Sequence, residues 1–244
     1  MPEALQRSRT LDRLGLLAVL ALVIGPLLAW MRWVPGIAGF GTFALGGILA
    51  LVVTILGVIR ALRGRGYGAG VLAATLGLLT FVALAARGRG APRINDFTTD
   101  MADPPAFKQA ASDPANQGRD LSYPPGFADV QRACCSDLVP VHLPSTPPAT
   151  FAMVELVAAG MPTWKITRQE SAAGELEAVS TTPLFGFHDD IIVRVRPDPA
   201  GGSRVDMRSK SRVGQGDLGA NVARIHAFQA ALQSRQAQVR AQVR

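Results

Sequence analysis

The chain has 244 residues, 48% of them hydrophobic, and a formal net charge of +7 at neutral pH. This length exceeds the requirement of one soluble domain of about 150 residues. Residues 1–90 hold nine arginines against Glu3 and Asp12, whereas residues 91–244 hold sixteen basic and sixteen acidic side chains. The balanced second part has no basic cluster interleaved with aromatic residues, which argues against a nucleic-acid-binding protein despite the high pI.

Three apolar runs predict a membrane domain over residues 1–90. They cover about residues 14–31, 37–59 and 68–86, lengths near the roughly 20 residues that span a bilayer. Arginines precede the first run and separate the second from the third, whereas the first loop holds only Arg32. This bias predicts a cytoplasmic N-terminus and places the rest of the chain outside the cytoplasm, although positions 87, 89 and 93 oppose it.

The soluble part is predicted to have an α+β fold. Residues 91–136 are rich in Pro, Asp and Ala and predict a loop-rich linker, residues 137–233 a folded domain, and residues 234–244 a polar, helical tail. Strands are predicted at 138–143, 164–170, 175–181, 191–196 and 204–213, with helices at 147–160 and after residue 217. These elements predict a two-layer sandwich, an antiparallel sheet of about five strands packed against two helices.

The last two strands carry most of the charge. Along residues 204–213 every second residue is charged, so one face of the strand is ionic and the other apolar or hydroxylated. We expect this ionic face to be solvated, with cross-strand pairs that fix register, such as Arg194 with Asp206. Asp190 is expected to pair with an arginine of the last strand, and Asp189 to lie in a turn.

A glycine-rich corner between the last strand and the last helix is the candidate interaction site. Its free backbone N–H groups favour an anion, but Asp217 at the expected N-cap repels one. The candidate residues are Asp189, Asp190, Arg194, Asp206, Arg208, Ser209, Arg212, Gly214, Asp217, Asn221 and Arg224. We expect no metal site at His188, because one His and two sequential carboxylates on opposite strand faces do not converge.

The two cysteines, Cys134 and Cys135, are adjacent. A vicinal disulfide, a link between two chains and a pair of free thiols are all open, and the lack of a CxxC spacing favours free thiols.

Three blocks resemble one bacterial family: PRINDFTTDMADPPAF, GELEAVSTTPLFGFHDDIIVRV and VDMRSKSRVGQGDLGANVARIHAF. Together, and in this order, they are similar to the domain-of-unknown-function 1499 family over about residues 92–232. The resemblance implies a domain that often follows a few membrane spans, and it implies no activity or cofactor.

The sequence thus predicts a multi-pass protein of the bacterial inner membrane with a periplasmic binding or scaffolding domain. Its expected partners are the lipid bilayer and an envelope protein or lipid, held in the groove between the sheet and the last helix. A pocket there lined by Trp164, Phe185 and Phe187 would support this interpretation, and a solid core without a cavity would reject it. The alternative is an envelope enzyme, or an anion- or lipid-headgroup-binding protein, that uses the Asp/Arg corner.

Overall fold

A computed structural model describes residues 8–86 and 88–242. Positions 1–7, 87 and 243–244 lie outside the described residues, so Arg7 and Arg87 of the charge bias and the last two residues of the predicted tail do too. The chain forms two compact units. One comprises Met1–Arg89 with Thr182–Gly186, and the other comprises Gly90–Thr181 with Phe187–Arg244.

Where the structure describes it, the first unit contains three helices: α1 (Arg9–Trp30), α2 (Gly36–Leu62) and α3 (Ala69–Ala86). Each is long and apolar enough to cross a membrane. Helix α2 contains its predicted run, and α1 and α3 each cover theirs except for one residue. Glycines let the helices approach closely, because a Cβ on Gly39 of α2 would lie 2.7 Å from the carbonyl oxygen of Gly25 on α1. Asp12 on α1 accepts a hydrogen bond from the backbone N–H of Val71 on α3 at 3.3 Å.

The second unit is built on a six-stranded antiparallel sheet, one strand more than the sequence predicts. The strands are β1 (Asp96–Thr98), β2 (Val141–Leu143), β3 (Trp164–Glu170), β4 (Glu175–Thr181), β5 (His188–Pro197) and β6 (Ser203–Ser211). Their order is β1-β6-β5-β4-β3. β1 and β2 pair with the same edge of β6, β1 along residues 208–210 and β2 along residues 203–205. The additional strand is β1, whose three residues are too few to show a period.

The described residues of this unit form four α-helices, α4 (Gln109–Ser112), α5 (Phe127–Cys134), α6 (Pro147–Gly160) and α7 (Ala220–Gln242), and a short 3-10 helix at Pro114–Asn116. The sequence predicts α6 with the same bounds and misses α4 and α5. The helix α7 continues through residues 234–242, so the described part of the predicted polar tail is a helical extension, as the sequence predicts.

Both long helices, α6 and α7, pack on one face of the sheet. Val154 of α6 and Ile225 and Phe228 of α7 join Val193 of β5 and Met207 of β6 in a single buried core. The alternation along β5 and β6 therefore places the expected apolar face inward.

The opposite face of the sheet is covered by residues 99–126, which we call the covering segment. Ile192 of β5 packs there against Phe107, Ala110 and Leu121. The prediction of a solvated ionic face is therefore wrong: Asp206 is 0% and Arg208 2% exposed. The sequence predicts this segment to be a linker. Its role could not be predicted because its contact partners are distant in sequence and leave no local pattern.

Candidate functional site

The predicted site residues divide between the two faces of the sheet. Neighbouring residues in a strand point to opposite faces, so Asp190 faces the covering segment and its neighbour Asp189 faces α7. Asp190 pairs with Arg212 at 2.6 Å, as predicted, whereas Asp189 pairs with Arg224. Asp189 lies within β5, opposite Ser180 and Ser211, so its assignment to a turn is wrong. The residues of the corner thus do not meet in one site.

On the α7 face, a buried polar cluster ties the last helix to β6. Asn221 accepts a hydrogen bond from Ser209 at 2.6 Å and donates one to Ser211 at 2.9 Å. Arg224 donates to Ser209 at 2.9 Å and also holds Asp189. Asn221 and Ser209 are fully buried, and the cluster pairs these groups with one another. Its chemistry is that of a structural joint.

The glycine corner leads into α7 and is closed by Asp217. The Asp217 carboxylate accepts hydrogen bonds from the backbone N–H of Gly219 at 3.0 Å and of Asn221 at 2.6 Å. Burial, against the opposing effect of these two bonds, raises the pKa of Asp217 above its ordinary value, and the nearby Asp189 adds to the rise. Gly214 has a φ of +89°, which favours glycine, and its carbonyl accepts a bond from Asn95. The N-terminus of the helix is therefore occupied by the carboxylate of the chain itself.

The face under the covering segment carries three ionic clusters. The first surrounds Asp206, which is 0% exposed. Its carboxylate pairs with three guanidinium groups, those of Arg194, Arg196 and Arg204, at 3.1, 2.7 and 2.8 Å. Asp100 of the covering segment pairs with Arg204 at 2.7 Å. Burial disfavours its ionised form, but the backbone N–H of Asp103 and the charge of Arg204 outweigh burial and lower the pKa of Asp100.

The second cluster surrounds Asp190. In addition to its ion pair with Arg212, the Asp190 carboxylate accepts a hydrogen bond from Asn116 of the covering segment at 3.0 Å and lies 3.6 Å from the guanidinium of Arg119. Asp113 pairs with Arg212 at 2.8 Å. A bond from the backbone N–H of Ala115, together with Arg212, lowers the pKa of Asp113.

The third cluster surrounds Arg208. Its guanidinium pairs with both carboxylate oxygens of Asp96 at 2.9 and 2.7 Å, in the two-pronged geometry that an arginine fork favours. It also donates to the carbonyl oxygens of Pro105 at 3.1 Å and Leu121 at 2.8 Å. Lys210 shares Asp96 at 2.9 Å.

Glu177 of β4 fixes another part of the covering segment. It is 1% exposed and accepts hydrogen bonds from three successive backbone N–H groups, those of Lys108, Gln109 and Ala110. Sequence reasoning misses Glu177, Asp96 and Asp100. The one signal in the sequence is the high charge of the strand faces. It indicates that charged partners exist, but it does not identify which residues they are.

The charged groups of this face are paired with other residues of the same chain. In the part of the chain that the structure describes, each carboxylate and guanidinium of the three clusters has an opposite partner, and no group of three metal-ligating side chains occurs. Removing buried charges from water is costly, and these pairings offset the cost. The charges of the sheet therefore hold residues of the same chain.

A comparison with protein-family models identifies this domain. The model described as a protein of unknown function, DUF1499, matches residues 96–232, more than half of the chain. The chain belongs to the DUF1499 family. The match starts at the first residue of β1, so the covering segment lies within the DUF1499 domain. No curated protein matches the chain.

The groove expected between the sheet and α7 is filled in the DUF1499 domain. Trp164 stacks on Phe228 with ring centroids 5.3 Å apart and planes at 12°. Ile225 and Leu232 are 0% exposed in the same layer. Trp164 therefore packs against the core of the domain beside α7.

The described part of the DUF1499 domain has open cavities elsewhere. One of about 500 Å³ lies under the covering segment, between the loops around residues 101–107 and 121–128, with Arg208 in its wall. A second of about 540 Å³ lies between β2 and the end of α7, and a third of about 430 Å³ lies beside His226. Among these, the cavity at Arg208 places a buried charged side chain beside apolar walls, which is typical of ligand sites.

Near the covering segment, α5 ends in a disulfide between Cys134 and Cys135. The expectation of two free thiols is thus wrong in this structure. The chain leaves the helix at Cys135, with φ −146° and ψ 47°, and the two neighbouring sulfur atoms join there.

Proposed function

We propose that this protein is an integral protein of the bacterial inner membrane whose DUF1499 domain is an extracytoplasmic binding or scaffolding module. Three helices long and apolar enough to cross a membrane are an odd number of spans, which supports opposite sides of the bilayer for the N-terminus and the DUF1499 domain. Arg9 and Arg13 lie at the start of α1, and Arg60, Arg63 and Arg65 lie at the end of α2 and just beyond it. This distribution supports a cytoplasmic N-terminus.

One observation carries the choice of a binding module over an enzyme. The ionic face that holds five of the eleven candidate residues is occupied by the covering segment of the same chain, with Arg208 2% exposed and Asp190 0% exposed. An enzyme that used the corner of Asp189, Asp190, Arg208 and Arg212 would need these groups to converge on a substrate. They instead lie on two faces, each with its own partner.

The disulfide gives independent support for the placement. Disulfides persist in oxidising compartments and are rare in the cytoplasm, where thiols are kept reduced. A domain that carries the Cys134–Cys135 bond therefore suits the periplasm.

The placement is tested with reporter fusions in a Gram-negative host. Alkaline phosphatase, which is active only outside the cytoplasm, and green fluorescent protein, which fluoresces only when folded inside, are each fused after Arg65 and after Arg244. We expect phosphatase activity after Arg244 and fluorescence after Arg65. The reverse pattern would contradict the proposal.

The binding role is tested by in-cell crosslinking, purification in detergent, and mass spectrometry of bound lipids and proteins. The matched control is a chain that ends after Arg93 and so keeps the three helices without the DUF1499 domain. A binding module predicts lipids or proteins recovered with the full chain and absent from the control. Identical sets from the two chains would remove this role.

A further inference from the structure

The cavity under the covering segment has a wall of mixed chemistry. Its apolar lining includes Met101, Phe107, Leu121 and Pro125, and its one charged side chain is Arg208. Its volume of about 500 Å³ is within the range of sites that bind small organic molecules. The cavity therefore suits a ligand with one polar end and an apolar remainder.

The charge beside this cavity favours a single negative charge. Asp96, Arg208 and Lys210 form one buried group, exposed by 0, 2 and 6%, and together carry a net charge of +1. Asp120 lies nearby but is exposed, so solvent screens its charge. A carboxylate balances one positive charge, whereas a phosphate monoester brings about −1.5 to −2 at neutral pH.

The hydrogen bonds of the two cations leave donors for such a group. Arginine has five N–H donors and a lysine ammonium has three. Asp96, Pro105 and Leu121 take four from Arg208, and Asp96 and the carbonyl of Ser122 take two from Lys210. Among the described residues, one donor of each cation then has no protein acceptor, and Arg208 borders the cavity.

The aromatic side chains beside Arg208 suit the apolar remainder. The guanidinium carbon of Arg208 lies 4.7 Å from the ring centre of Phe107 and 5.6 Å from that of Tyr123. The Tyr123 hydroxyl donates to Gln131 at 3.1 Å. Burial, and then the charge of Asp96, raise the pKa of Tyr123 to about 12, so its hydroxyl stays neutral and does not repel an anion.

We propose that this cavity binds a small monocarboxylate with an apolar chain or ring. The carboxylate lies at Arg208, and the apolar part lies against Phe107, Tyr123 and Leu121. The proposal rests on the proposed function, since it names the ligand class of the binding module.

The test uses the full chain in phosphatidylcholine nanodiscs, with empty nanodiscs as the blank. Hexanoate is the probe, and hexanol and hexylamine match it in length without the negative charge. Saturation-transfer NMR titration gives each dissociation constant. We expect hexanoate to bind with a Kd of about a millimolar, as its few atoms allow, and at least tenfold more tightly than either matched probe.

Two variants of α5 locate the binding. Ala128 lines the cavity, whereas Val130 is 38% exposed on the same helix and does not line it. Ala128→Trp fills the cavity and is expected to weaken hexanoate binding at least tenfold, while Val130→Trp leaves it unchanged. Ala106→Trp lies at an exposed position of the same cavity wall and replaces Ala128→Trp as the test if Ala128→Trp lowers the melting temperature. The same loss of hexanoate binding is expected for Ala106→Trp.

Two outcomes would overturn this proposal. Equal affinities for hexanoate and hexylamine would remove the carboxylate specificity, and unchanged binding in both wall variants would place the ligand elsewhere. Neither result affects the membrane placement or the bound components found by mass spectrometry. Failure of this proposal is thus distinguishable from failure of the proposed function.

Discussion

Arg208 shows how the DUF1499 domain accommodates charges in its interior. Burying one ion costs several kcal/mol, and a buried pair recovers that cost only with good geometry and further hydrogen bonds. Arg208 meets both conditions through Asp96 and two backbone carbonyls of the covering segment. The contribution of Arg208 to stability therefore depends on its pairing with Asp96.

Substitution of Asp96 by Asn should be strongly destabilising. It leaves Arg208 and Lys210 buried without their shared carboxylate, and removing one partner of a buried pair typically costs about 3–5 kcal/mol. Urea unfolding of the full chain in detergent, followed by tryptophan fluorescence, measures the loss, because Trp164 lies against the core. The control is Asp129→Asn, whose side chain is 82% exposed, with an expected change within about 0.5 kcal/mol. Similar losses in the two variants would contradict the assignment.

Asp217 should make stability depend on pH in a definite direction. Because burial raises its pKa in the folded protein, the folded state binds this proton more tightly than the unfolded state does. Its contribution to stability therefore falls as pH rises from the ordinary value of 3.8 through the raised value. An asparagine side chain at this position would cap the helix without titrating.

The Asp217→Asn variant is therefore compared with the wild type by urea unfolding at about pH 4 and about pH 7. We expect the difference in unfolding free energy to shift in favour of the variant as pH rises. A constant offset between the two proteins is allowed, since the amide has one acceptor oxygen where the carboxylate has two. A shift in favour of the wild type would contradict the raised pKa.

At the scale of elements, local patterns predict what local interactions decide. The bounds of α6, β3 and β4 agree with the sequence periods, because a period and its turn residues lie within a few positions of one another. The covering segment has no such period. Its contacts join positions far apart in sequence, such as Asp100 with Arg204, which are 104 residues apart.

Some ion pairs among the candidate residues follow from the sequence, whereas their surroundings do not. The sequence predicts the pairing of Asp190 with an arginine of the last strand and of Arg194 with Asp206, since register follows from the hairpin. It does not predict that these pairs are buried. The charges alternate along a strand in the same way whether that face is covered by solvent or by another segment of the chain. The cavity at Arg208 follows from that burial and is equally invisible in the sequence.

Glycine packing between the membrane helices gives a prediction at this scale. A Cβ on Gly39 would meet Ala29 at 2.5 Å and the Gly25 carbonyl oxygen at 2.7 Å, whereas a Cβ on Gly41 would meet nothing within 4 Å. Gly39→Leu should thus separate α1 from α2 and destabilise the helices by about 1–3 kcal/mol, as overpacking does. Gly41→Leu is the matched control on the same helix.

The comparison is made by the thermal stability and gel-filtration profile of each variant in detergent. We expect early aggregation for Gly39→Leu and a profile like the wild type for Gly41→Leu. If Gly41→Leu alone changed the profile, that face of α2 would contact another molecule, and the packing assigned to Gly39 would be wrong.

At the scale of the whole molecule, charge separates the two parts of the chain. The formal excess of +7 arises within residues 1–90, and residues 91–244 are balanced. Basic residues beside membrane spans orient them, whereas a balanced domain has its charges available for internal pairs. Under the proposed placement, the arginines of the first part orient the membrane helices, and those of the second part form the ionic clusters of the DUF1499 domain.

The oxidation state of Cys134 and Cys135 tests this organisation in cells. If the DUF1499 domain lies in the periplasm, its disulfide stays oxidised. Cells are quenched in acid, the protein is denatured, and a polyethylene-glycol maleimide is added with or without prior reduction. We expect no added mass without reduction and two additions after it, since the chain has two cysteines. Cys135→Ser, which leaves Cys134 unpaired, is the control and should gain one addition without reduction. Two additions on the unreduced wild type would contradict the disulfide in cells and remove its support for the periplasmic placement.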